Sequence, residues 1–258
     1  MHDVLNKIIE SKHSEIKGKK EDLQKILNGH AVVAPLFKLR TALKQKEMAI
    51  IAEVKRKSPS SGTIADLMNP VEQVKLYNKG GAAVISVLTD YVYFGGTMDD
   101  LRSIAHSSRT PVLMKDFIVD PIQIVEGLVA GASAVLLIVS VLGRKTKEML
   151  LEVHRYGMEA IVEVHDREEL SIALDAGAQI IGVNSRNLNT FQVNLHCAES
   201  LAGMFPPHVI KVAESGISTV KDVEKMRDCG YDAILVGEAL MRSADPSALI
   251  QSFRIPLK

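Results

Sequence analysis

Glu53 and Lys55 stand two residues apart at the end of the apolar run AIIAEVK, a spacing that puts a carboxylate and an ammonium on one face of an extended strand. Similar residues close other apolar runs. Lys115, followed by Asp116 and Phe117, ends PVLMK; Glu163 lies within AIVEV; Asn184, Ser185, Arg186 and Asn187 end and follow IIGVN; Glu214, Ser215 and Gly216 end VIKVAE and the turn after it. Lysines, carboxylates, an arginine and an asparagine gathered in one partly dry cup shift each other's pKa values and become ready for proton transfer. Ser215-Gly216 and Gly237, after the last two runs, suit a phosphate held on backbone N–H groups, with Lys55 as counter-charge. Glu238 beside Gly237 must then point away from the anion.

These residues meet only if their runs are neighbouring strands with the charged ends together. GGAAVISVL at 80–88, AGASAVLLIV at 130–139, AGAQIIGVN at 176–184 and CGYDAILVG at 229–237 repeat one pattern: a glycine closes a helix, a short turn follows, and an apolar strand begins. With strands over 49–54, 111–115, 160–164 and 209–214 the count is eight, each apolar on both faces as buried parallel strands are. Helical segments are expected at 70–79, 98–106, 120–130, 145–156, 167–175, 197–203, 218–228 and 245–253, opened by Pro70, Asp120-Pro121, Asp166, Ser218 and Asp245-Pro246. Eight alternating units favour a closed (β/α)8 barrel, an α/β fold, over an open doubly wound sheet. Alternation then sends Glu53, Lys55 and Glu163 inward, because the outward face would bury their charges under helices.

Residues 1–48 precede the first strand. LNKIIESKHSEIKGKK and VAPLFKLRTALKQ have amphipathic helical patterns that could cap the barrel's bottom or reach over its mouth. No flexible linker follows them, so 1–258 is expected to be one domain: a helical extension over 1–48 and a barrel over 49–258. Lys and Arg total 31 and Asp and Glu 31, a balance that gives no electrostatic support for nucleic acid or an anionic membrane as partner. With no secretory or membrane-spanning run, a cytoplasmic protein is expected. A monomer is the simpler expectation. Cys197 and Cys229 fit no disulfide or zinc pattern and read as reduced, buried thiols. His154, His165, His196 and His208 show no ligand spacing and read as surface or rim residues, so no metal is expected. Asp90, Tyr93, Phe94, Gly95 and Gly96 suggest a mobile lid with an apolar surface.

The segments IIAEVKRKSPSSG, SVLTDYVYFGG, PVLMKDFIVDPIQI, EAIVEVHDREEL, IIGVNSRNLNTF and VAESGI, in this order, resemble the signature segments of indole-3-glycerol-phosphate synthases over essentially the whole chain. The E-x-K-x-x-S-P-S segment is the most specific, whereas ESGI is shared with many phosphate-binding barrels. The resemblance implies a substrate, 1-(2-carboxyphenylamino)-1-deoxyribulose 5-phosphate, and as products indole-3-glycerol phosphate, carbon dioxide and water. It carries functional roles onto Glu53, Lys55, Ser58, Lys115, Glu163, Asn184, Arg186, Glu214 and Ser215. Lys115 would protonate the ketone oxygen as the aromatic ring attacks, its acidity raised by nearby cations. Glu163, Glu53 and Lys55 would share the later loss of water and of the proton on nitrogen. Asn184 and Arg186 would orient polar groups, and Phe94, Phe117, Leu136, Ile138 and Phe191 would wall a slot for the aromatic ring. No cofactor is implied, since the substrate is its own electron sink. The lid sequence DYVYFGG and the absence of Phe, Tyr and Trp from residues 1–36 depart from the family, so any packing of substrate by the extension is expected to be aliphatic. The rival readings are another phosphate-binding barrel enzyme, such as a phosphoribosyl-anthranilate isomerase or a thiazole synthase, and a non-catalytic binder. The isomerase would be shorter and would want a catalytic Cys/Asp pair at strand ends, and the non-catalytic binder would be expected to have lost Lys115 or Glu163.

Overall fold

Eight parallel strands close on themselves: β1 (Ala49–Val54), β2 (Val84–Leu88), β3 (Val112–Lys115), β4 (Ala134–Ile138), β5 (Glu159–Val164), β6 (Ile180–Asn184), β7 (Ile210–Glu214) and β8 (Ala233–Val236), each paired with the next and β8 with β1. This computed structural model describes residues 3–17, 19, 38–58, 62–64, 69–188 and 190–258.

The alternation read from the sequence sorts the side chains as expected. Ile50, Ala52 and Val54 of β1, and Val162 and Val164 of β5, pack outward with the helices. Ala49, Ile51, Leu113, Leu136, Ile161 and Val212 point inward and fill the barrel. Each fully buried aliphatic side chain contributes roughly 1.5–3 kcal/mol, so the two apolar layers fix the register that carries Glu53 and Glu163 inward. A one-residue slip would turn both charges onto the helices.

The helices fall within a few residues of their expected bounds: Pro70–Gly80, Met98–Ser107, Pro121–Val129, Thr146–Arg155, Arg167–Asp175, His196–Leu201, Val220–Asp228 and Pro246–Phe253. Asp120, Asp166 and Asp245 cap theirs as expected. Ser218 does not. Thr219 is the capping residue, accepting from Asp222 N–H, and Ser218 donates instead to the Asp222 carboxylate. Short helices at Tyr91–Phe94, Val139–Leu142 and Glu238–Arg242, and an antiparallel pair Lys57–Ser58 with Gly62–Thr63, had no distinct sequence signal.

The extension does both things the sequence left open. Helix α1 (Asp3–Lys17) lies over the barrel mouth, where Leu5 and Ile8 face the central cavity. The helix α2 (Leu39–Leu43) plugs the other end. Leu39 and Leu43 join the inner core, Arg40 N–H donates to Glu159 at the start of β5, and Lys38 donates to the Gly157 carbonyl. Residues 33–37 of the second expected helix lie outside the described residues. Among the described residues, no helix is long and apolar enough to cross a membrane.

Candidate active site

At the C-terminal ends of the strands lies a cavity of about 430 Å³. Every candidate residue named from the sequence lines it except Ser58, whose backbone lies in the short strand after β1 and whose side chain falls outside the described residues.

Lys115 stands at its centre. The end of β3 delivers the ammonium 3.6 Å from Glu163 Oε2 and 3.7 Å from Glu214 Oε2, and both carboxylates are 1% exposed. Burial acts to lower the pKa of Lys115, but the charges of Glu163, Glu214 and Glu53 outweigh it and raise the value. This corrects the expectation that neighbouring cations would weaken its hold on the proton. Its closest charged neighbours are carboxylates, because the inward positions of β5 and β7 at this height are both glutamates.

Glu214 is pushed the other way from most carboxylates. Burial, then the charge of Glu163, raises its pKa despite Lys115. Neither of its oxygens has a hydrogen-bond partner among the described residues. It fits there because β6 carries Gly182, where a Cβ would overlap Oε1 of Glu214. Glu53 shows the opposite balance. Burial is outweighed by Lys55, whose ammonium lies 2.8 Å away, and by Lys115, so Glu53 is held below the usual carboxylate range and ionised.

Asn184 orients two neighbours. Its amide donates to Glu163 Oε1 at 3.1 Å and its oxygen accepts from Arg186 N–H at 2.9 Å. Arg186 in turn donates to the Phe191 carbonyl, and a bridge from Arg186 to Val193 closes the loop after β6 across the cavity. On the apolar side, the rings of Phe94 and Phe117 pack 6.1 Å apart with Leu136 and Ile138 below, and α1 adds Leu5 and Ile8. The extension's contribution is thus aliphatic.

Ser215 and Gly216 both have positive φ, at 67° and 84°, so the turn after β7 is left-handed and its backbone faces the cavity. The glycines answer to side chains as well as to any ligand. A Cβ on Gly237 would strike the Glu53 carboxylate and stand 3.0 Å from Lys55 Nζ, and one on Gly216 would stand 2.6 Å from Val193 Cγ1. The Glu238 carboxylate accepts from Arg242 Nε at 2.9 Å, and Arg242 also lines the cavity.

Three features escaped the sequence reading. Lys12 of α1 is 2% exposed and pairs with Asp90 at 3.1 Å and Asp116 at 2.9 Å, fastening α1 to the turns after β2 and β3. An apolar helical stripe interrupted by a lysine was the only hint. The segment read as a lid forms a helical turn, Tyr91–Phe94, capped by Asp90, while Tyr91 and Val92 face outward. His165 does stand at the rim, but its ring is turned toward the charged cluster. It follows Glu163 by two positions, so alternation places it on the same face; its Nε2 lies 3.4 Å from Glu163 Oε1 and its Nδ1 3.0 Å from Glu169 Oε2. The remaining corrections are small: Cys197 and Cys229 are free but only partly buried.

With this geometry in view, comparison with known proteins is decisive. A family model described as indole-3-glycerol phosphate synthase matches residues 5–253. The chain belongs to the indole-3-glycerol phosphate synthase family. A synthase of that name from Leptospira interrogans is 43% identical over 245 residues, covering 95% of this chain and 94% of its own. One from Listeria monocytogenes is 47% identical over 212 residues, covering 81% and 82%. A solved structure of a thiamine phosphate pyrophosphorylase from Pyrococcus furiosus superposes with a TM-score of 0.60 at 19% identity over 84% of this chain and 96% of that one, a likeness of fold alone. Indole-3-glycerol phosphate synthases are carboxy-lyases of tryptophan biosynthesis acting on a phosphorylated small molecule.

Proposed function

We propose that this cavity closes the indole ring of 1-(2-carboxyphenylamino)-1-deoxyribulose 5-phosphate, with Lys115 as the acid of ring closure. The observation that carries the assignment is the Lys115 ammonium, held between Glu163 and Glu214 and facing an apolar wall. The aromatic ring packs between the phenylalanines and the aliphatic roof of α1, and its carbon attacks the ketone as Lys115 protonates the oxygen. The flanking carboxylates keep the lysine charged until then. The developing alkoxide is a stronger base than a lysine amine, so a raised pKa does not block the transfer.

Carbon dioxide then leaves and aromaticity returns. A dry slot favours that step, since a carboxylate sheds its charge as it departs. Loss of the hydroxyl group as water needs a second acid, a role taken by Glu163, whose carboxylate lies 3.6 Å from Lys115. The ionised Glu53, steadied by Lys55, takes the proton lost from the nascent ring. Glu214, whose hold on a proton burial strengthens, hydrogen-bonds the substrate, and Asn184, Arg186, Ser58 and Ser215 orient its polar groups. Lys55 and the turns at Gly216 and Gly237 hold the phosphate, with Arg242 nearby. In this reading the extension and barrel form one domain, the chain acts as a cytoplasmic monomer, and no metal or organic cofactor takes part.

The test is to incubate the purified protein with the carboxyphenylamino-deoxyribulose phosphate, without added metal, and follow indole fluorescence. Appearance of the indole signal is expected; its absence at substrate saturation overturns the reading.

A further inference from the structure

His165 is half-hidden at the edge of the site and the steps above give it no task. Its surroundings constrain its protons. Glu169, at the third position of the helix Arg167–Asp175, extends Oε2 to accept the His165 backbone N–H at 2.8 Å and contacts the ring Nδ1 at 3.0 Å. A carboxylate oxygen only accepts, so Nδ1 carries a hydrogen. The other nitrogen, Nε2, is buried and has no hydrogen-bond partner among the described residues, yet it faces Glu163 Oε1 at 3.4 Å. A bare lone pair there would oppose a carboxylate oxygen; a proton between the two turns repulsion into attraction. The four groups form a line, Lys115, Glu163, His165 and Glu169, running from the cavity to the partly exposed rim.

The reaction creates a use for such a proton. Ring closure consumes one proton at the ketone oxygen and water loss consumes another, while one returns from the nascent ring. The substrate carboxylate leaves as neutral carbon dioxide, so each turnover takes up one proton overall. We propose that His165, held by Glu169, is a positioning and proton-storing residue that recharges Glu163 for the loss of water. The Nε2–H bond breaks as an Oε1–H bond forms on Glu163. Glu163 then gives its proton to the departing hydroxyl group, and the neutral imidazole regains a proton from solvent after products leave. This rests on the ring-closing function proposed above.

The groups facing the imidazole favour the stored proton. Glu163 of β5 and Glu169 touch it, Glu214 of β7 adds negative charge, and the Cys197 thiol of helix His196–Leu201 donates to the His165 carbonyl at 2.9 Å. Burial would lower the pKa of His165, but the Glu169 hydrogen bond and the three carboxylates outweigh it and raise the value.

Two measurements test the proposal. In His165→Gln, the amide can still donate to Glu163 but cannot store a proton. Its KM is expected to stay within about twofold while kcat falls about 10- to 100-fold; wild-type kcat is expected to fall as pH rises through the His165 pKa, and that fall should be absent in the variant. Wild-type kcat with the same alkaline limb would overturn the proposal. The second measurement needs no turnover: the imidazole of His165 is titrated by nitrogen NMR in the full chain. Its pKa is expected above the ordinary histidine value and should fall in Glu163→Gln. An unchanged titration in that variant would sink the storage role. A wild-type protein that makes no indole, yet shows the coupled titration, would place the failure in the proposed function and not in the pair.

Discussion

The carboxylate of Glu214 occupies the space where a Cβ on Gly182 would stand. Gly182 lies in the middle of β6 with both neighbours buried, where a larger residue would otherwise strengthen the strand. Its absence of a side chain is the room that lets β7 aim at Lys115 an acid with no hydrogen-bond partner among the described residues. Gly182→Ala is therefore expected to displace Glu214, lowering turnover by at least about 100-fold and costing about 1–3 kcal/mol from overpacking. Fluorescence-monitored turnover and thermal unfolding check both; wild-type turnover would show that Glu214 can be moved without consequence.

Glu214 should also be a site where stability and activity oppose each other. Its folded pKa lies above the unfolded value of 4.5, so the folded state binds more protons than the unfolded state through the window between the two. Its contribution is most favourable below pH 4.5 and becomes a cost as pH rises through the folded value. Glu214→Gln keeps the shape and removes that cost. The variant should equal the wild type near pH 4 and melt at a higher temperature than it at pH 9, while losing turnover. Melting temperatures across that range decide it, and a variant less stable than the wild type at pH 9 would contradict the linkage.

Lys115→Ala and Glu163→Gln remove the two groups assigned to proton donation. Each is expected to lower kcat by at least about 100-fold. Because Lys115 separates Glu163 from Glu214, the alanine variant should also lose stability, whereas the glutamine variant should not. Steady-state kinetics with unfolding curves separate the two effects, and normal turnover in both variants would refute the assignment.

Why some of this was legible in the sequence, and some not, follows from the range of the interactions. β1 begins and ends as read, because apolar alternation around Glu53 is a local signal. Glu163 and Lys115 could be brought together from sequence because a closed parallel barrel puts all strand ends on one rim. Which charges then touch depends on register between strands, and here the reading of Lys115 beside cations was wrong. Lys12 was missed because its partners, Asp90 and Asp116, are far away in the chain. His165 could have been found: it lies two residues from Glu163, and the rule that turned Glu163 inward applies equally to it. The short helix Tyr91–Phe94 was hidden by the glycines after it, one of which caps it at Gly95.

The buried Lys12 makes α1 a fastened roof over the slot. Burial would lower its pKa, but Asp116, Asp90 and Glu15 outweigh it, so the lysine is held above its ordinary 10.5. A group raised in this way stabilises fully below pH 10.5 and loses that contribution only above it. Lys12→Met leaves two buried carboxylates without their counter-charge, a cost of about 3–5 kcal/mol that α1 can avoid by lifting away. The expected result is a KM raised about tenfold or more and faster hydrogen exchange across Asp3–Lys17, with the barrel strands still protected. Exchange confined to α1 distinguishes a lifted roof from a general loss of stability, and unchanged exchange there would show that Leu5 and Ile8 hold the helix without the lysine.

The two turn glycines should part company when each gains a methyl group. Gly216→Ala meets Val193 and must keep a positive φ of 84°, so the turn after β7 shifts while the charged cluster stays intact. A higher KM with nearly normal kcat is expected, as for a lost binding contact realised equally in ground and transition states. Gly237→Ala instead meets the Glu53 carboxylate and Lys55, the pair that accepts the ring proton and steadies the phosphate. Here kcat should fall about tenfold or more together with the rise in KM. Parallel kinetics on the two variants check the contrast. Identical KM effects with no loss of kcat in Gly237→Ala would mean that Glu53 moves aside without harm, and the proton acceptor would have to be sought elsewhere in the cavity.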